Sequence, residues 1–132
     1  MPVETSDVAA SPEFLEFLKD QLAPLGHVTA RRMFSGAGIY CDGVIFALVL
    51  RDAVHFRVDD GNRSAYEAEG LQPFSYEARG RTVRVGAYWR VPERLVDDPD
   101  EMVEWARAAL AAGQRAAAKK KPKGTRAKPK ER

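Results

Sequence analysis

Phe14, Leu18, Leu22 and Leu25 follow one another at spacings of four, four and three, the stripe of a helix with one apolar face. Ser11 ahead of them is a good N-cap, and Pro12 at the first helical position gives up no hydrogen bond. Pro24 and Gly26 stop the run, so the spacing predicts a helix from Pro12 to about Ala23. From Val28 the period shortens. Thr29 to Cys41 reads as strand, interrupted at Ser35-Gly36, and Asp42-Gly43 then supplies two turn residues that tolerate positive φ, a hairpin signal. The run VIFALVL, Val44 to Leu50, is apolar on both faces and belongs inside a sheet with something packed on it. After a turn at Arg51-Asp52, Val54, Phe56 and Val58 face inward while His55 and Arg57 face outward.

The second half repeats the grammar. Asp59-Asp60-Gly61-Asn62 offers caps for a short helix through Tyr66 and Ala68, closed by Gly70. Phe74 to Ala78 alternates, Arg79-Gly80 turns, and Val83, Val85, Ala87, Trp89 and Val91 alternate again until Pro92, which cannot donate to a ladder. Asp98-Pro99-Asp100-Glu101 opens the last helix with a cap, a proline at the first position and acids at the positive end. Its buried face is Met102, Trp105, Ala106, Ala109 and Leu110, and Gly113 reads as a weak point. The order α-β(3)-α-β(2)-α is an α+β fold, an antiparallel sheet packed with helices on one face.

Length bounds this to one domain: 132 residues supply one core. The longest apolar run is too short for a membrane span, the N-terminus lacks the pattern of a secretory signal, and Cys41 stands alone. These features lead to the expectation of a cytoplasmic protein, without membrane contact. Charge changes the picture more. Lys119, Lys120, Lys121, Lys123, Arg126, Lys128, Lys130 and Arg132 face a single acid, Glu131, for a net of +7. Residues 1–118 keep 13 basic and 18 acidic side chains, a net of −5. A like-charged block without apolar residues has nothing to offset its ordering entropy. The expected organisation is therefore a flexible N-terminus over 1–10, a domain over 11–114 and a disordered basic tail over 115–132.

Candidate chemistry is sparse. A dinucleotide loop needs a third glycine where Cys41 stands, and a helix where a hairpin follows. Gly36 and Gly38 instead read as residues that let a strand bend. His27 and His55 have no second ligand at metal spacing, Ser35 lacks a nucleophile elbow, and Cys41 reads as a packed small residue. The acids at 59–60 and 97–101 lie where helices start, and capping accounts for them. No catalytic residue, metal or cofactor is expected. The eight basic residues of the tail form a candidate nucleic-acid contact, to DNA or RNA through phosphate alone, since no aromatic offers a stacking platform. A solubilising tail would have the same composition.

Beside this reading stands a resemblance. RRMFSGAGIYCDGVIFALV, VHFRVDDGNRSAYEAEGLQPFSYEARGR and YWRVPERLVDDPDEMVEWARAAL, in that order, resemble the TfoX/Sxy N-terminal domain. The motif Met-Phe-x-Gly-x-Gly-Ile/Leu-Tyr matches Met33, Phe34, Gly36, Gly38, Ile39 and Tyr40; Arg57, the Phe74/Tyr76 pair and Tyr88, Val91 and Pro92 match further signatures. The resemblance implies a two-layer fold and a non-enzymatic part in regulating competence for DNA uptake, through transcription factors. A second, helical domain usual in full-length regulators has no counterpart here, the chain passing from Leu110 into the tail. The face carrying His55 and Arg57 and the edge near Tyr88 and Arg90 are candidate contact surfaces for a protein partner, an ordinary solvated sheet face being the other reading of them. The chain is expected to be a monomer or weak dimer. The alternative is a non-specific nucleic-acid binder working through the tail.

Overall fold

The computed structural model describes residues 11–33, 36–51 and 53–124. Its first helix, α1 (Pro12–Leu22), is capped as the sequence requires: Ser11 Oγ accepts the Phe14 N–H at 3.1 Å. A 3-10 turn over Ala23–Leu25 and a bend at Gly26 (φ 141°) lead into the sheet. Strands β1 (Val28–Met33), β2 (Gly36–Cys41), β3 (Val44–Leu50) and β4 (Ala53–Arg57) follow, then α2 (Arg63–Ala68). The hairpin β5 (Pro73–Ala78) and β6 (Arg81–Arg90), a 3-10 turn over Glu93–Asp97 and α3 (Pro99–Gly124) complete the chain.

The α+β class is as expected, with one strand more than anticipated. The segment from Thr29 to Cys41 is two antiparallel strands, β1 and β2, with Met33 opposite Gly36. A close pair of strands separated by two residues looks, from periodicity alone, like one strand with a flaw. The sheet has the order β1-β2-β3-β4-β6-β5 and is antiparallel throughout. Both dipeptide turns form as the sequence demands, with positive φ at Asp42 and Gly43 and at Arg79 and Gly80. The doubly apolar run is β3, inside the sheet, with Phe46, Ala47 and Val49 fully buried.

Register assigns the two faces. Ala37, Ile39, Ala47, Val49, Val54, Phe56 and Trp89 point at the helices and meet Leu15, Leu18, Leu22, Tyr66, Met102, Ala106 and Ala109 in one core. A bulge between Ile39 and Tyr40 places Phe46 in that core as well, 6.1 Å from the Phe56 ring. Tyr66 brings α2 in by packing on Trp105 (4.8 Å) and Trp89 (5.9 Å). The helical contact surface of α3 is small-residue rich, with Ala106, Ala109, Ala112 and Gly113 all buried. That lets the helix axis lie close to β3.

Two expectations about α3 need correction. Gly113 does not interrupt the helix; it is a contact point, where an added Cβ would sit 2.5 Å from the Ile45 carbonyl oxygen. The helix also runs ten residues past the boundary placed at 114, through Gly124. The run GQRAAAKKK is built from good helix formers apart from its glycine, and Arg115 is anchored to Asp59 at 2.7 Å. The N-terminal ten residues and 125–132 lie outside the described residues. Among the described residues no helix is long and apolar enough to cross a membrane.

Candidate functional site

The sheet face away from the helices carries no helix among the described residues, and on it register gathers the four residues expected to meet a partner. His55 lies opposite Arg90, and Arg57 opposite Tyr88. The Arg57 guanidinium stands 5.5 Å over the Tyr88 ring. At the far side of the face Arg31 repeats the arrangement 5.4 Å over Tyr40. Such pairs contribute about 0.5–1 kcal/mol each at exposed positions, and they hold each cation flat on the sheet. Arg90 is exposed, and among the described residues its ion-pair contact is a long one, 3.5 Å to Glu93. The Arg57 backbone is fixed from behind, since its carbonyl accepts the Asn62 amide N–H at 3.0 Å.

The expectation for His55 is half right. It is on the outer face, but it is 5 % exposed. The cause is the β5–β6 hairpin, whose pairing slips by three residues between Pro73 opposite Trp89 and Phe74 opposite Val85. The hairpin therefore bends over the sheet, and the Phe74 ring meets the imidazole edge-on at 4.9 Å. Phe74 in turn stacks with Tyr76 at 5.9 Å. Between hairpin and sheet lies a groove of about 760 Å³ whose lining includes Leu50, His55, Phe74, Tyr76, Arg51 and Arg90.

Electrostatics in the groove follow from that cover. Burial, then the nearby Arg90 charge, lowers the His55 pKa to about 4, against an opposing effect of the Ala53 and Leu48 backbone. The imidazole is neutral at pH 7. Its Nδ1 is buried without a hydrogen-bond partner among the described residues, a state that costs about 1–3 kcal/mol. Arg51, at positive φ (54°), is exposed at the end of β3. Among the described residues it has no ion-pair partner.

The remaining candidates resolve locally. Cys41 is buried in the core, and burial and the adjacent Asp42 carboxylate push its thiol pKa up. His27 is exposed in the bend before β1. Asp98 caps α3, its Oδ1 accepting the Glu101 N–H at 3.1 Å. The Glu101 side chain does not return the bond but joins Glu69 on Arg94, at 2.8 and 2.7 Å. Asp59 accepts the Gly61 N–H at 2.8 Å and holds Arg115 through both oxygens, at 2.7 and 2.8 Å. Ser35 lies outside the described residues. Lys119 is exposed on α3, and Lys120, Lys121 and Lys123 lie on its last turns, whereas Arg126, Lys128, Lys130 and Arg132 lie outside the described residues. No group of three His, Cys, Asp or Glu able to hold a metal occurs among the described residues.

Three participants were not singled out from sequence as functional: Phe74 as the cover of His55, Arg51 on the groove rim and the Asp59–Arg115 clasp. Phe74 was visible as one of an alternating series and as half of the Phe74/Tyr76 signature pair, neither of which points to His55, and the slip that aims it there has no local signature beyond Gly86 opposite the bend. The two clasp residues are 56 positions apart. Compared with known families, the chain matches the model described as TfoX N-terminal domain over residues 20–113. No curated protein matches it.

Proposed function

The chain belongs to the TfoX N-terminal domain family, and from that premise we propose that it is a non-enzymatic regulatory module of competence for DNA uptake, acting through a protein partner in transcription control. The observation that carries the reading is a sheet face with no helix on it among the described residues, on which Arg31 and Arg90 are exposed and Arg57 is half-exposed, each of Arg31 and Arg57 lying over a tyrosine ring. Tyr88 itself, expected as a contact residue, is buried (7 % exposed) and acts as the support under Arg57. Arginine and tyrosine are enriched at protein interfaces and among the residues that dominate their binding energy, and the ring beneath each guanidinium limits the side-chain freedom left to lose on docking. Raising the level of the chain in its own host is expected to raise transformation frequency. The double variant Arg57→Glu/Arg90→Glu, checked for native circular dichroism, is expected to abolish that rise. An unchanged transformation frequency with the wild-type chain would remove the regulatory reading.

A second reading follows from α3. Its helical stem carries the first basic residues of the tail away from the clasp at Arg115, and a basic segment displayed on a stem supports contact with the phosphates of DNA or RNA. This reading is separable from the first, since it uses none of the sheet-face residues.

A further inference from the structure

Behind Phe74, the groove on the open face has the make-up of a small-molecule site. We propose that it binds a small planar anion: an aromatic or heteroaromatic ring carrying a carboxylate or a phosphate. Its volume, about 760 Å³, falls within the roughly 300–1,000 Å³ of ligand clefts. One wall is aromatic, formed by the Phe74–Tyr76 stack, and Tyr76 is 47 % exposed, so a ring can lie against it without unfolding anything. The floor is apolar at Leu50 and Ala53. Among the described residues on the rim, Arg51 and Arg90 face one carboxylate, Glu77, two cations against one anion. Glu77 is itself engaged, accepting the Thr82 hydroxyl at 2.6 Å. Guanidinium forks match carboxylate and phosphate oxygens in pairs, and the 3.5 Å contact of Arg90 with exposed Glu93 is a weak competitor.

The independent observation is the Nδ1 of His55, buried without a hydrogen-bond partner among the described residues, on a ring that Phe74 meets at 4.9 Å. A buried polar atom without a partner marks either strain or a missing partner. A ligand that moves Phe74 aside and presents a hydroxyl, carbonyl or ring N–H to the imidazole satisfies this atom, since neutral imidazole offers a donor on one nitrogen and an acceptor on the other. The ring, the hydrogen bond and the charge thus each have a counterpart within one cleft. Binding to the isolated chain requires no protein partner, so the inference does not rest on the regulatory reading.

Amide-resolved NMR titration of the full chain tests it, with 4-hydroxybenzoate, uridine 5′-monophosphate and benzylamine as probes. At least one anion is expected to shift the His55, Phe74 and Tyr76 amides saturably with Kd at or below about 1 mM; benzylamine, of the opposite charge, is expected not to. Which anion saturates distinguishes a carboxylate from a phosphate ligand, and saturation by both supports a site reading ring and charge alone. Arg51→Glu/Arg90→Glu is expected to weaken binding about ten-fold or more, and Arg107→Glu, on the exposed side of α3, to leave it unchanged. Tyr76→Ala, at an exposed position, provides a second weakening variant if the double variant loses spectral dispersion. Absence of saturation by either anion overturns the proposal. So does equal saturation by benzylamine, or wild-type affinity in folded Arg51→Glu/Arg90→Glu or Tyr76→Ala.

Discussion

At Gly113 the two effects of adding a methyl group oppose each other. In a helix interior alanine is worth about 1 kcal/mol more than glycine, yet here the new Cβ would meet the Ile45 carbonyl oxygen at 2.5 Å. Backbone on the far side cannot swing away, so overpacking, at about 1–3 kcal/mol, outweighs propensity. Gly113→Ala should lower the urea midpoint instead of raising it. His55 gives the second residue-scale expectation. Its pKa is about 4 folded and 6.5 unfolded, so between those values the unfolded chain takes up a proton that the folded chain refuses. Stability should fall as pH drops from 6.5 to 4, by at most ~3 kcal/mol, and level off below. Urea melts of wild type and His55→Leu at pH 7 and 4.5 check this, the variant losing that part of the acid dependence. The sequence placed His55 on the correct face because strand alternation is local. It missed the burial because that depends on Phe74, in a hairpin 19 residues further on.

Elements were legible where their signals lay within a few residues. Ser11, Asp42-Gly43, Arg79-Gly80 and Asp98 each do what their types dictate. The division of β1 from β2 was hidden because the two residues between them, Phe34 and Ser35, are not one of the glycine dipeptides that announce a tight hairpin, and the pairing of Met33 with Gly36 is what separates them. The β5–β6 hairpin was predicted as an element but not in its shape. If its bend is what buries His55, Phe74→Ala should move the imidazole pKa from about 4 back toward 6.5, read by NMR titration of the ring protons. An unmoved value would mean that the sheet alone desolvates it. The clasp between α3 and the loop after β4 makes a further test. Arg115, through its hydrogen bonds, lowers the Asp59 pKa to about 2 from 3.8. A depressed carboxylate pKa stabilises the fold above the unfolded value, and that contribution disappears as pH falls through about 2. Both side chains are substantially exposed, so Arg115→Ala should cost little at pH 7. The difference from wild type should shrink below pH 4 in thermal melts.

Over the whole molecule, charge is segregated along the chain, and this asymmetry was plain from composition. What composition concealed is that the tail does not begin where its charge begins: helix continues through Gly124. If the tail contacts nucleic acid, all eight cations together give a log affinity against log salt slope of about −7. A chain ending at Gly124 keeps the four lysines at 119, 120, 121 and 123 and should show about −4. A slope unchanged by that truncation would place the binding elsewhere. The clasp at Arg115 has an architectural meaning too. Nine residues of helix project past it, a boom about 14 Å long at 1.5 Å per residue. Its pivot, Asp59, donates its N–H to Asn62 Oδ1, and Asn62 also holds the Arg57 carbonyl. A continuous hydrogen-bonded path therefore runs from the base of the boom to the strand end beneath the Arg57–Tyr88 stack, joining two parts of the chain that the sequence keeps more than fifty positions apart.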